Sequence, residues 1–353
     1  MTDFVESFST MQLLPPWISP GARTWMFLIR LNPKTVTDYL AAFLNAAAPD
    51  RAPFEWRPID GDQFGIITYN QHPRVATDRP DRPQGWDTVC AKEVFFAFPA
   101  IRRQITADNL IVDTQVWVQP FSFGDTGAMV FGSREIWGTE MELARIFDED
   151  DMSPGGMHVD VAIQGFKTFA PTSVSASIAC LHLQVRPGGR IANPIPEILA
   201  RPELHTIAGI FLQSSSFIGG GAPALTPDNP LTGTELNNLK QFRDAYNPEF
   251  AIYRAIVASK SSHQIDEASL AFFDPTSAEI DFMWSASMEQ ALQSQFALKT
   301  WTVGGPPAAH APKVDAHGVD WDMKAARLKA ELVFTYVSTV RYQVLGTLHT
   351  YGG

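Results

Sequence analysis

Short apolar runs separated by Pro- and Gly-bearing loops fill most of this chain, and they limit its fold class before any single residue is weighed. Residues 24–31 (TWMFLIRL), 64–69, 89–99 and 108–121 form a first set. Residues 159–169, 174–185, 250–259, 268–273 and 278–284 form a second. These runs have strand length and are rich in β-branched and aromatic residues, and several alternate apolar with polar side chains, so they read as strands. Helical signals are fewer. Asn32 and Pro33 make an N-cap and a first helical position, and Val36, Tyr39, Leu40 and Phe43 follow at helical spacing. Short helices are also expected over 236–246 and 289–298, and propensity predicts a helix over 322–334 (DMKAARLKAELVF).

Composition removes several function classes. With 45% hydrophobic residues, 18% charged residues and a formal net charge of −11, the chain offers no basic stripe for neutralising phosphates, so nucleic acid is not expected as a partner. The N-terminus lacks a basic segment leading into an apolar one, and no apolar window reaches spanning length, which predicts a cytoplasmic protein without a membrane partner. Cys90 and Cys180 are the chain's two cysteines; neither sits in a disulfide or zinc spacing, and both are expected reduced. Twenty-four Phe and nine Trp suit a large core or an apolar pocket.

Two stretches carry charge where burial is expected. In 89–99 (VCAKEVFFAFP), apolar residues flank Lys92 and Glu93 on both sides. Neighbours on a strand face opposite ways, so only one of the pair can enter a cavity. Residues 128–145 (AMVFGSREIWGTEMELAR) read as an apolar strand, a tight turn at Gly132-Ser133 and a second strand, with Arg134 and Glu135 as a local ion pair.

The second stretch resembles the signature of the acetoacetate decarboxylase superfamily, a small apolar strand leading into Gly-Arg-Glu, a spacer, a small residue, an aromatic, Pro and Lys-Lys. Ala128, Met129, Val130, Gly132, Arg134, Glu135 and Gly138 match, and Ser133 is one extra residue. The ending departs: Thr139, Glu140, Met141 and Glu142 replace aromatic-Pro-Lys-Lys, and Met141 stands where the Schiff-base lysine would be. A thioether cannot condense with a ketone, so the resemblance implies the scaffold without the amine chemistry that the family uses. Glu93, six positions ahead of Pro99, also reproduces the family's spacing for a glutamate facing the active site.

The resemblance implies an α+β fold: a single domain over 1–353 whose strongly bent antiparallel sheet forms a cone or barrel, with helices packed outside. It places an insertion at about 186–235, where Pro, Gly, Ser and Asn dominate, and a C-terminal extension at about 302–353. It implies a homo-oligomer and a small keto or carboxylic acid as ligand, with no cofactor. Glu93 is the expected general acid or base, with a pKa raised by burial. The family meets the ligand carboxylate with an arginine near the first strand; Arg23 and Arg30 are the candidates, and Arg23 is preferred because it lies just ahead of the apolar run. Arg134, Glu135, Trp137 and Met141 are the expected substrate contacts. A silent small-molecule-binding protein on the same scaffold is the alternative reading. No metal set is complete: His310, Asp315, His317, Asp320 and Asp322 lie in a loop without periodicity, and His158 with Asp160 supplies only two ligands on one strand face.

Overall fold

A computed structural model describes residues 15–46, 54–78, 88–106, 108–148, 156–165, 176–194, 234–243, 251–285 and 323–351. The strands are β1 Trp17–Leu31, β2 Phe54–Pro58, β3 Gln63–Thr77, β4 Thr88–Ile105, β5 Ile111–Gly124, β6 Met141–Asp148, β7 Met157–Gly165, β8 Ala176–Val185, β9 Arg190–Ile191, β10 Thr234–Arg243, β11 Ala251–Phe273, β12 Ala278–Ser285, β13 Met323–Leu328 and β14 Ala330–Tyr351. Helix α1 (Pro33–Leu40) runs on into a π turn at Ala41–Asn45, and α2 (Gly127–Gly132) into another at Ser133–Trp137.

The sheet order β5-β10-β11-β14-β1-β3-β4 closes on itself, because β4 pairs with β5 over most of its length. This is the bent, closed sheet that the family resemblance implies. It is antiparallel except at two joints, where β5 lies parallel to β10 and to β6. At the second joint the chain leaves the ring and builds an arm, β6-β7-β8-β12-β13, that extends the sheet beyond it.

The first-strand run TWMFLIRL shows no alternation because β1 is buried on both faces. Met26 and Leu28 join one core with Phe64, Ile66, Ala97 and Trp117. Trp25, Phe27 and Ile29 join the other, where α1 and the arm's Val159, Val161, Leu181 and Leu183 pack against them. Helix α1 begins as expected, with the Asn32 side chain accepting from the Lys34 N–H and Val36, Tyr39 and Leu40 buried.

Several expected helices are strands. Residues 236–243 form β10, hydrogen-bonded along β11, where a short helix is expected over 236–246. Residues 323–334 form β13 and the start of β14, despite their helix-forming composition. β13 pairs along β12, and β14 is held between β1 and β11; these ladders of backbone hydrogen bonds override a propensity worth only tenths of a kcal/mol per residue. Residues 250–259 and 268–273 are parts of one strand, β11. The helix expected at 289–298, the loop with His310 and His317, and most of the expected insertion lie outside the described residues.

Candidate active site in the lumen of the closed sheet

The 128–145 stretch does not turn at Gly132-Ser133. Both residues keep right-handed helical backbone, so α2 continues into its π turn until Gly138, at φ +67°, ends it. Gly138 is required twice, for that left-handed conformation and because a Cβ there would sit 2.9 Å from Cβ of Lys240 on β10. Helical spacing then decides which side chains turn inward: Met129, Ser133 and Trp137, each four apart, line one cavity.

That cavity, of about 100 Å³, is the lumen of the ring, since all seven ring strands supply wall residues. A row of paired residues crosses its floor from strand to strand: Gly124, Glu93, Asn70, Thr24 and Tyr336. Thr24 Oγ1 donates to Asn70 Oδ1 at 2.8 Å, and Asn70 Nδ2 donates to Glu93 Oε1 at 2.7 Å. Tyr342 donates its hydroxyl to the same Oε1 at 3.1 Å, and His72 Nε2 lies 3.2 Å from it. A His72 ring protonated at Nε2 donates there and accepts at Nδ1 from the Ser19 hydroxyl at 2.8 Å. Ser19 is fully buried and off the cavity wall, so Ser19, His72 and Glu93 form a buried support and not a nucleophile triad.

All these bonds fall on Oε1, which leaves Oε2 without a hydrogen bond among the described residues. Burial pushes the Glu93 carboxyl up, but the hydrogen bond and charge of His72 and the bonds from Asn70 and Tyr342 outweigh it, and the net shift is downward. This corrects the expected upward shift: polar partners, not an apolar wall, surround the carboxylate. The same burial raises Tyr342 well above the usual phenol range, with the Glu93 charge adding to it. His263, near Tyr336 and Ser338, is pushed down to about 4 by burial and by the neighbouring His72.

Lys92 points the other way, as strand alternation requires, and ion-pairs with Asp148, which also accepts from the Tyr69 hydroxyl at 2.5 Å. Met141 enters the cavity wall, 2% exposed, in the space beside Glu93 that Gly124 leaves by lacking a side chain. Trp137 packs against Trp17 at 4.9 Å between ring centroids and against Tyr342 at 6.2 Å, tying the π turn to the Glu93 network.

The structure therefore brings Glu93, Trp137 and Met141 together, and leaves Arg23, Arg134 and Glu135 off the wall. Arg23 is exposed because Thr24, its neighbour on β1, is the one that faces the network. Arg134 is displaced by helical geometry: it projects to solvent and lies 3.8 Å from Glu142, not in an ion pair with Glu135. Arg30, the other arginine candidate, ion-pairs with Asp62 at 2.6 Å outside the lumen. The sequence reading missed Asn70, His72, Tyr342 and Lys260. Asn70 and His72 carried a usable signal, since they belong to the polar triplet Asn70-Gln71-His72 directly after the apolar run 64–69. Lys260, on β11, carried none.

No protein-family model and no curated protein sequence matches the chain. Among solved structures, the acetoacetate decarboxylase of Legionella pneumophila subsp. pneumophila str. Philadelphia 1 matches with a TM-score of 0.50 at 9% identity, over 96% of this chain and 88% of that one. The fold is that of acetoacetate decarboxylase. A structure of the enduracididine biosynthesis enzyme MppR complexed with pyruvate gives 0.47 at 12% identity, over 97% and 95% of the two chains. A further acetoacetate decarboxylase structure gives 0.43 at 9%, over 96% and 93%.

Within this acetoacetate decarboxylase-like scaffold, Lys260 borders the cavity beside Ser259, and strand alternation turns its side chain to the opposite face, toward Glu235. Burial lowers its pKa, and Glu235, its cross-strand partner on β10, opposes that shift. Two buried donors on the same wall, Trp137 Nε1 and Ser259 Oγ, have no hydrogen-bond partner among the described residues. Each such donor costs about 1–3 kcal/mol while it stays unpaired.

Proposed function

We propose that the chain is an acetoacetate decarboxylase-like enzyme that acts on a small keto or carboxylic acid by acid–base chemistry, with Glu93 as the general base. One observation carries this reading: a buried carboxylate is pinned through Oε1 and open at Oε2, on the same wall as two unpaired donors. The donors of Trp137 and Ser259 suit the oxygens of an acid or ketone, and Oε2 suits a proton beside its carbonyl. Because Glu93 is held as the carboxylate, it begins the reaction as a base and acts as an acid only after taking that proton. The cavity, about 100 Å³, is smaller than the ~150 Å³ engineered cavity that binds benzene, which sets the ligand size at a few carbon atoms.

Incubating the protein with pyruvate, acetoacetate and 2-oxobutanoate in deuterated water tests the proposal. Proton NMR should show enzyme-dependent exchange beside the carbonyl, or loss of the acid, with at least one of them, and Glu93→Gln should remove it. Binding without turnover in both proteins would favour the silent binding protein instead. Borohydride reduction in the same mixtures should leave no adduct, because the motif's lysine position is Met141. A reduced adduct on Lys260 in the mass spectrum would replace acid–base chemistry with an imine mechanism.

A further inference from the structure

A second cluster of chemistry-bearing side chains lies on the arm, away from the lumen. His158 and Asp160 are two apart on β7 and share one face, while Val159 and Val161 between and beyond them enter the core. The neighbouring strand adds a third residue. His182 on β8 stands directly opposite Asp160, between the buried Leu181 and Leu183. The Asp160 carboxylate reaches both rings, with Oδ1 2.7 Å from His182 Nδ1 and Oδ2 3.1 Å from His158 Nε2. The two imidazoles meet edge to face with centroids 5.0 Å apart.

We propose that His158, Asp160 and His182 form a binding site for a divalent first-row transition cation, above all zinc, on the outer face of the β7–β8 hairpin. One ligand atom from each residue can be chosen so that all lie within 4.8 Å of one another. Zinc bonds to imidazole nitrogen and carboxylate oxygen are about 2.0–2.2 Å long, which sets ligand atoms of one tetrahedral centre about 3.4 Å apart. Small side-chain rotations reach that geometry, and the backbone can stay fixed because the residues are already paired across the ladder. Two imidazoles and one carboxylate favour zinc and its neighbours over calcium or magnesium, which take oxygen sets. Three protein ligands leave the fourth position to water or a ligand.

The surroundings suit a cation. Asp281 on β12 lies opposite His182, and Glu279 is two residues along the same strand. Arg327 pairs with both acids and Arg186 with Glu279. Counting Asp160, Asp281 and Glu279 against Arg186 and Arg327, the carboxylates outnumber the guanidinium groups, so an incoming divalent ion meets a negative field. The cluster's plain alternative is a hydrogen-bonded His–Asp–His group on a solvated sheet face. The two readings differ in what metal does to the protein.

The test uses the full chain stripped with a chelator, titrated with zinc chloride by calorimetry and with cobalt chloride by visible absorption. One equivalent of zinc should bind and raise the melting temperature, and cobalt should give the intense visible bands of a tetrahedral site. His182→Gln and Asp160→Asn should each weaken binding more than about 100-fold, beyond the 10–100-fold typical of a residue that only supports a ligand. His158→Gln, at a more exposed position, serves the same purpose if either of those variants fails to fold by circular dichroism. Absence of saturable binding to the unaltered chain would overturn the proposal. So would binding that survives the folded hairpin variants, or that is lost in His310→Gln/His317→Gln with the hairpin intact.

Discussion

Two cavities formed by the described residues are separated by the thickness of one sheet, and they differ in almost everything except the strands that build them. Ile66, Phe95 and Ala97 face the lumen, about 100 Å³ in volume, while Ile67, Phe96 and Phe98 face a cavity of about 480 Å³ between the ring, helix α1 and the arm. Successive residues of β3 and β4 thus serve opposite chambers. The larger chamber is walled mainly by aromatic and aliphatic side chains, with Arg30, Lys329 and Glu331 among its few charged residues. The smaller one holds the buried carboxylate and two of its donors, Asn70 and Tyr342. Size therefore does not mark the chemical site here; convergent polar groups do.

Glu93→Gln should separate the chambers most sharply. It keeps the shape of the lumen but removes the base, so turnover should drop about 10²–10⁴-fold while ligand binding persists, measured by initial rates and by NMR line broadening. Substitutions facing the larger chamber should spare turnover. Equal losses from both sides would dissolve the distinction.

Two glycines give a finer comparison. A Cβ at Gly65 would lie 2.5 Å from Phe96 Cε2 and 3.1 Å from the Ala97 carbonyl oxygen. Gly65→Ala must therefore push the Phe96 ring into the larger chamber, and it should cost about 1–3 kcal/mol in urea unfolding with turnover retained. A Cβ at Gly124 would lie 2.8 Å from Met141 Sδ, the flexible end of a side chain on the lumen wall. Gly124→Ala should shrink the lumen by moving that sulfur, weakening ligand binding roughly tenfold, as one methylene group in a pocket does.

The smallest effect is one of pH. Unfolded, His263 takes a proton as pH falls through its ordinary 6.5; folded, it resists until about 4. The unfolded state thus binds more protons between those values, so stability should decline as pH falls from about 6.5 to 4. The depressed Glu93 carboxyl adds a separate loss at lower pH, as it is protonated below its ordinary 4.5. Denaturant midpoints measured across this range should flatten above pH 4.5 in His263→Gln and keep the acid loss. Gly65→Ala should lower the curve without changing its shape.

A related comparison concerns the lysine position. The sequence suggests that Glu142 would keep an introduced Met141→Lys amine charged. The structure turns Glu142 outward, its side chain 62% exposed, while Met141 faces the lumen. Met141→Lys and Met141→Lys/Glu142→Lys should therefore give equal borohydride adduct yields, and a clear gain in the double variant would show that the neighbouring charge reaches the cavity.

Local pattern was enough to locate β1, β3, β4, β5, β7, β8 and β12, to start α1 at Asn32, and to assign Lys92 and Glu93 to opposite faces. All of these depend on chemistry within a few residues: the two-residue repeat of a strand, a cap, a breaker. The same local reading failed at 128–137, where Gly132-Ser133 has turn composition but the backbone stays helical, and the resemblance put Arg134 and Glu135 at a cavity whose wall they do not line. It failed again at 236–243 and at 323–334, where ladder pairing with distant strands prevails, in the second case over helix propensity.

Only tertiary structure decided the composition of the two sites. Asn70, His72, Glu93 and Tyr342 come from three strands, with Glu93 and Tyr342 separated by 249 residues, and no spacing in the chain encodes their convergence on one oxygen. Likewise His158 and Asp160 announce half of a metal set, and His182 completes it only through the β7–β8 register. The alternation of a strand fixes which way a side chain points, whereas what it meets there depends on strand pairing, which is set by burial of both faces of the whole sheet.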